Sequence, residues 1–164
     1  MPLTIRHATA ADLPAVVAIY NASIPGRLAT ADTHPVTVAS RQAWLAAHTA
    51  DRRPLWVAEA DGTTTGWLSL SDFYGRPAYG ATVEVSVYVD TAHHRRGVGR
   101  ALLGHALDAC PRLGVTSVVG YVFGHNAPSL ALFEGFGFSR WGHLPAIAEL
   151  DGVARDLVIV GRRV

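Results

Sequence analysis

Apolar and polar residues alternate strictly from Thr82 to Val89, with Val83, Val85, Val87 and Val89 on one side and Thr82, Glu84, Ser86 and Tyr88 on the other. A period of two over eight residues predicts a half-buried β-strand. Asp90 to Arg96 is polar and basic and ends it. From Gly97 the period changes. Val98, Ala101, Leu102, Leu107 and Cys110 recur at helical spacing, until Pro111 breaks or kinks the helix. The unit is strand, basic turn, helix, with two glycines at the helix start.

The same reading extends along the chain. Leu3 to Ala8 is a short strand, and Thr9 with Asp12 three residues on is a helix entry. Leu13, Val16, Val17, Ile19 and Tyr20 form the buried side of that first helix, and residues 21–36, with two prolines and a glycine, form a long loop. Residues 37–48 predict a second helix anchored by Trp44 and Leu45. Strands follow at 55–60 and 65–71, joined by Asp61-Gly62, a hairpin signal, and then comes an aromatic irregular loop at 72–80. After the central unit, a strand at 115–123, a helix opening at Asn126-Ala127-Pro128-Ser129, and strands near 139–144 and 155–160 joined through Asp151-Gly152 complete the chain. The order is β-α-α-β-β-β-α-β-α-β-β, an α/β chain without repeats or linkers, expected as one domain over 1–164.

Composition narrows the function classes. The 164 residues are 49% hydrophobic and 16% charged, which predicts a globular chain with a real core. A net charge of +1 argues against a general nucleic-acid binder. Cys110, the single cysteine, lies on the apolar stripe of its helix and reads as core. The eight histidines show no HExxH and no cysteine partners at ligand spacing, so no metal is expected. With no apolar leader segment and no run of about eighteen apolar residues, a cytoplasmic protein with no membrane partner is expected.

The central turn carries the chemistry. The first amides of a helix have no intrahelical acceptor and stand at the positive end of its dipole. Gly97 and Gly99 remove side chains from those donors, and His93, His94, Arg95, Arg96 and Arg100 surround them with positive charge. The pattern points to a phosphate or pyrophosphate ligand. A P-loop is excluded because GxxxxGK followed by Ser or Thr occurs nowhere, and a dinucleotide fingerprint because its third glycine position holds Leu102.

His94-Arg95-Arg96-Gly97-Val98-Gly99 resembles the pyrophosphate turn Q/R-x-x-G-x-G/A of the GNAT superfamily of N-acetyltransferases, with His94 in place of Gln or Arg. The opening IRHATAADL and the element order extend that resemblance over nearly the whole chain. Within the superfamily the chain is most similar to the phosphinothricin and methionine-sulfoximine acetyltransferases. That similarity rests on Tyr20-Asn21-Ala22 with Thr30-Ala31-Asp32, on Arg76-Pro77-Ala78-Tyr79, on the Val83–Val89 strand, and on Asn126 with Ser129. The resemblance implies a mixed, mostly antiparallel sheet of about seven strands flanked by about four helices. It also implies acetyl-CoA as co-substrate, a small-molecule amine as acceptor and a homodimer.

The resemblance also implies roles. Glu84 would be the general base for the α-amine of a small amino-acid-like substrate. Val87, Tyr88 and Val89 would hold the pantetheine arm, with the Val89 amide polarising the thioester carbonyl. Arg95, Arg96, Gly97, Val98, Gly99 and Arg100 would hold the pyrophosphate, with Asn126 and Ser129 beside the arm. Arg76 would clamp a substrate carboxylate, as its planar fork allows. Tyr74, Gly75 and Tyr79 would shape the pocket with Val85 and Ser86, joined by the loop carrying Arg27, Leu28 and Asp32. One position departs from the family. Phe133 stands where relatives carry a Tyr or His able to protonate the leaving thiolate, which leaves unaided departure or help from Tyr88 or Tyr121. Two rival functions stay open: acetylation of another amine, such as a protein amino terminus or polyamine, and a non-catalytic acyl-CoA sensor.

Overall fold

A computed structural model describes residues 2–164. Seven strands form one sheet: β1 (Thr4–His7), β2 (Leu55–Ala60), β3 (Thr63–Asp72), β4 (Thr82–Val89), β5 (Ser117–Phe123), β6 (Ser139–Leu150) and β7 (Val153–Arg163). Its order is β1-β2-β3-β4-β5-β7-β6, antiparallel throughout except between β4 and β5, which run parallel. Four helices flank it: α1 (Leu13–Ser23), α2 (Gln42–Ala46), α3 (Val98–Ala109) and α4 (Ala127–Glu134). The predicted strand and helix order stands.

Apolar side chains cover the sheet on both faces. On one face Val83 and Val85 pack against Val98, Leu102 and Leu103 of α3 and Phe133 of α4, with Val87 and Val89 at the margin. That is the valine face read from the sequence. On the other face Val16 and Ile19 of α1 meet Val57 and Trp67, with Tyr20, Trp44 and Tyr88 beside them. Cys110 is fully buried in the first cluster, and burial pushes its thiol up to about 11, as suits an inert core residue.

Local chemistry fixes the joints. Asp61 (φ 50°) and Gly62 (φ 74°) turn β2 into β3, and Asp151 (φ 52°) and Gly152 (φ 76°) turn β6 into β7. Both pairs place two successive residues in the left-handed region, the tight-hairpin geometry that Asp-Gly favours. At the start of α1 the Asp12 carboxylate accepts from the Thr9 amide (2.7 Å) and from Arg6 Nη1 and Nη2 (2.8 and 2.9 Å). Those bonds hold its carboxyl at about 2.

Several boundaries differ from the sequence expectation: β3 runs past both ends of 65–71, and β5 begins at Ser117 rather than at 115. The helix read over 37–48 is a single tight turn, Ala39–Arg41, followed by the short α2, because Arg41 (φ −105°, ψ 0°) leaves helical geometry between them. The last two strands run further than 139–144 and 155–160, because the hairpin continues past an irregularity between Leu144 and Ala148.

No helix among the described residues is long and apolar enough to cross a membrane, and no three potential metal ligands among them cluster.

Candidate active site

The site is built where the sheet opens. β4 pairs with β3 over seven residues, from Gly66↔Val89 to Asp72↔Val83. It pairs with β5 over only three, Thr82↔Ser117 to Glu84↔Val119, after which the two strands diverge. The Asp90 amide donates to Thr65 on the β3 side (2.9 Å). Strand alternation therefore turns the amides of Val87 and Val89 toward the gap, where no strand meets them. A cleft of about 330 Å³ fills the gap, bounded by β4 from Glu84 to Tyr88, by Tyr121 to Phe123 of β5, by Asn126, Ser129 and Phe133, and by Leu28 to Ala31.

The basic turn stands at the end of β4. The first bond of α3 runs from the Ala101 amide to the Gly97 carbonyl (2.9 Å), so the amides of Val98, Gly99 and Arg100 have no acceptor within the helix. Arg95 (φ 60°) and Gly97 (φ 81°) are both left-handed, which curls the turn over that helix start. Gly97 is required by this backbone conformation rather than by crowding, since a Cβ there meets nothing within 4 Å. Gly99 differs, because its Cβ would rest 3.5 Å from Val89 and Leu132. His94 turns back and donates from Nε2 to the Val89 carbonyl (3.0 Å), tying the turn to the strand end. Arg95, Arg96 and Arg100 are exposed around the helix start, Arg100 stacking on Phe136 at 5.2 Å.

These residues fit acetyl-CoA. An unpaired strand edge offers the amide partners that a pantetheine arm uses, and the helix start with its arginines suits a pyrophosphate.

A second cavity, of about 230 Å³, lies on the other side of Glu84 between the sheet and the α1–α2 region. Its walls are aromatic (Tyr20, Trp44, Trp67, Tyr88) and aliphatic (Val16, Val17, Val36), with three serines (Ser69, Ser71, Ser86). Glu84 is its one carboxylate and Arg41 its one guanidinium. Glu84, Ser86 and Tyr88 line both cavities, so Glu84 stands where they meet. Burial raises the Glu84 carboxyl above its ordinary value.

The long loop after α1 is pinned across the cleft. Tyr88 Oη donates to the Ala29 carbonyl (3.0 Å), Asn126 Nδ2 to that of Leu28 (3.1 Å) and His125 Nε2 to that of Arg27 (2.8 Å). Asn21 closes the loop's far end with paired bonds to Val36, both 2.9 Å. Asn126 also caps α4 by accepting from the Ser129 amide (3.2 Å). Arg27 reaches out to Asp151 (3.0 Å), while Asp32 accepts from Tyr20 Oη.

The aromatic loop at 72–80 lies elsewhere. Tyr74, Gly75, Arg76 and Tyr79 line neither cavity; Gly75, Arg76 and Tyr79 border a depression with Arg52 and Asp72 instead. The loop packs on itself, with Phe73, Tyr74 and Tyr79 rings 5.7 to 6.3 Å apart. Arg53 braces its base by donating to Asp72 (2.7 Å) and to the Gly80 carbonyl (2.8 Å). It departs from β3 just beyond Ser71, the partner of Glu84, so it borders the Glu84 end of the second cavity from outside.

Sequence reasoning missed Arg41, His48 and Ser71 and read Trp44 as a helix anchor only. His48 donates from Nδ1 to the Trp44 carbonyl (2.7 Å) and faces Ser71 Oγ from Nε2 (3.3 Å), and Ser71 lines the second cavity as the cross-strand neighbour of Glu84. The available signal was Arg41, Trp44 and His48 at spacings of three and four, a polar and aromatic face where a core helix would be aliphatic.

The comparisons with known proteins agree. The Acetyltransferase (GNAT) family model matches residues 16–138. The Bacillus subtilis protein named "Putative phosphinothricin acetyltransferase YwnH" is 52% identical over 98% of both chains. The L-methionine sulfoximine/L-methionine sulfone acetyltransferase of Salmonella typhimurium is 33% identical over 96% of this chain and 92% of its own. Among solved structures, a GNAT superfamily phosphinothricin acetyltransferase from Sinorhizobium meliloti in complex with AcCoA superposes with a TM-score of 0.94 at 30% identity, covering 100% of this chain and 89% of that one. With a diverging β4–β5 pair, a glycine turn at α3 and relatives matched end to end, the chain belongs to the GNAT family of acetyltransferases.

Proposed function

We propose that this acetyl-CoA-dependent N-acetyltransferase acetylates the α-amine of a small amino-acid-like substrate, of the phosphinothricin, methionine sulfoximine or methionine sulfone type, by direct transfer with Glu84 as general base. The observation that carries this reading is the position of Glu84 between two cavities, one bounded by the open edge of β4 and one aromatic and closed by α2.

The chemistry needs an amine freed of its proton, since each pKa unit by which it exceeds the ambient pH costs about 1.4 kcal/mol. Glu84 takes that proton, directly or through water. Desolvation raises its carboxyl and so makes it a stronger base than an exposed glutamate. When bound, acetyl-CoA supplies an activated thioester. The amides of Val87 and Val89 hold its arm, and that of Val89 polarises the carbonyl. The amides after Gly97, with Arg95, Arg96 and Arg100, hold the pyrophosphate. Asn126 and Ser129 flank the arm from α4.

Among the aromatic residues bordering the cleft, one hydroxyl is free to supply a proton to the leaving thiolate. Phe133 is buried in the cleft and has none to give, and Tyr88 Oη is engaged with Ala29. Tyr121, exposed on the same face of the sheet as Glu84 and bordering the cleft, is the remaining donor. A thiol pKa near 8.5 lets departure proceed slowly without it. Arg76 lines neither cavity, so its role as clamp for the acceptor's α-carboxylate requires its loop to move toward the Glu84 end when the acceptor binds.

The working form we propose is a cytoplasmic homodimer, supported by the exposed apolar residues Trp141, Leu144 and Val153 on β6 and β7. Sedimentation at micromolar concentration tests it, with a monomer as the contrary result.

Thiol release from acetyl-CoA over a panel of amines tests the activity. Turnover with amino-acid analogues and its loss in Glu84→Gln are expected. Tight coenzyme A binding without turnover on any amine would instead favour a sensor, and turnover confined to polyamines or peptide amino termini a different acceptor.

A further inference from the structure

Resting on the acceptor cavity just proposed, we infer that Arg41 selects the substrate by binding an oxygen-bearing group at the far end of its side chain, such as a sulfone, sulfoximine or phosphinate. The argument is one of length and charge. Ser71 faces Glu84 across the β3–β4 pair and Trp67 faces Tyr88. α2 and its flanking residues follow the same direction above them. His48 sits over Ser71 (3.3 Å), Trp44 over Trp67 (ring centroids 5.6 Å), and Arg41 over Tyr20, itself edge-on to Tyr88 at 5.1 Å. Glu84 and Tyr88 are four residues apart on β4, roughly 13 Å. The cavity therefore has its carboxylate at one end and its guanidinium at the other.

An amine held at Glu84 and a carboxylate on the same carbon are too close together to reach both ends. A side chain of three or four atoms spans the aromatic stretch between them and brings its terminal oxygens to Arg41. The guanidinium is prepared for that contact. Its Cζ lies 5.3 Å from the Tyr20 ring centroid, and its one ion pair among the described residues, to Asp32, is long at 3.5 Å. That leaves its other N–H groups without a side-chain acceptor among the described residues, in a forked array suited to paired oxygens. Tyr20 is fixed in turn by Thr30 (2.6 Å) and Asp32. A thioether or alkyl terminus would leave those donors unanswered.

The test compares L-methionine sulfone with L-methionine, which differ only in the two distal oxygens, in wild type, Arg41→Met and Arg41→Lys. The expected result is a wild-type kcat/KM favouring the sulfone by about 10- to 100-fold, the size expected of hydrogen bonds to a charged donor. Arg41→Met removes that preference through KM and leaves methionine within about threefold, and Arg41→Lys recovers part of it. Equal losses on both acceptors, or no preference in the wild type, would overturn the assignment. So would a loss that follows the α-carboxylate, read with the decarboxylated sulfone amine as third acceptor, or a preference that disappears in Arg76→Ala and survives in Arg41→Met. If the wild type acetylates none of them, the function proposed above fails. Calorimetric affinities for sulfone and thioether then decide the role of Arg41, by the same collapse of their ratio or its absence.

Discussion

The two edges of β4 have the same sequence behind them and opposite fates. Toward β3 the strand is paired over seven residues, with Trp67 and Tyr88 stacked at 4.7 Å on the face above. Toward β5 the pairing stops after three, and the valine amides beyond it meet a cleft. A strand paired on one side only is an aggregation hazard when it is exposed. Here the loop at 27–31, held by Tyr88, His125 and Asn126, covers the opening. The paired edge supplies rigidity, and the open edge supplies hydrogen-bonding capacity that a ligand can use.

The largest expected effect lies at the open edge. Glu84→Gln is expected to lower kcat by about 100- to 10,000-fold, the usual worth of a general base, while coenzyme A affinity by calorimetry stays the same. The pH profile sharpens this. Because burial raises the Glu84 carboxyl, wild-type kcat/KM falls with decreasing pH through a value above that of an ordinary glutamate, as the base becomes protonated. The Gln variant lacks that limb.

At the paired edge the effects are on stability. A Cβ at Gly66 would stand 2.9 Å from both the Tyr88 carbonyl and Val98 Cγ1, so Gly66→Ala must push β3 away from β4 or α3. A loss of about 1–3 kcal/mol is expected, read as a Tm lower by several degrees. Asp12→Asn, which weakens the tie between β1 and the start of α1, is expected to cost roughly 1–2 kcal/mol, less than the full shift implies because the Arg6 side chain is 39% exposed. Asp12 is held at about 2, so its contribution is complete above the unfolded value near 3.9 and fades as pH falls toward 2. Denaturant melts at pH 7 and pH 2 check both the size and the direction. The smallest effect returns to the open edge, where Arg96→Gln raises the coenzyme A Kd a few-fold and flattens its salt dependence, since Arg96 is exposed.

How far the sequence carries depends on the range of the physics involved. β2 and β4 begin and end where their patterns do, and both Asp-Gly hairpins are where the dipeptides stand. Those signals are local. The α2 break is not legible, because Arg41 leaves helical geometry in a stretch, 37–48, that holds no glycine or proline to signal it. The second cavity was hidden for a related reason. Its walls come from α1, α2, β3 and β4, and only the fold brings Ser71 opposite Glu84. Arg76 shows the converse. Its motif is plain in the chain, yet the aromatic packing of its own loop keeps it outside the cavities.

Amide hydrogen exchange along β4, resolved by residue with and without coenzyme A, tests most directly whether the open edge is the ligand's partner. Slow exchange at Ser86, Tyr88 and Asp90 in both states is expected, together with fast exchange at Val87 and Val89 that slows on adding coenzyme A. Unchanged exchange at those two valines under saturating ligand would contradict the account.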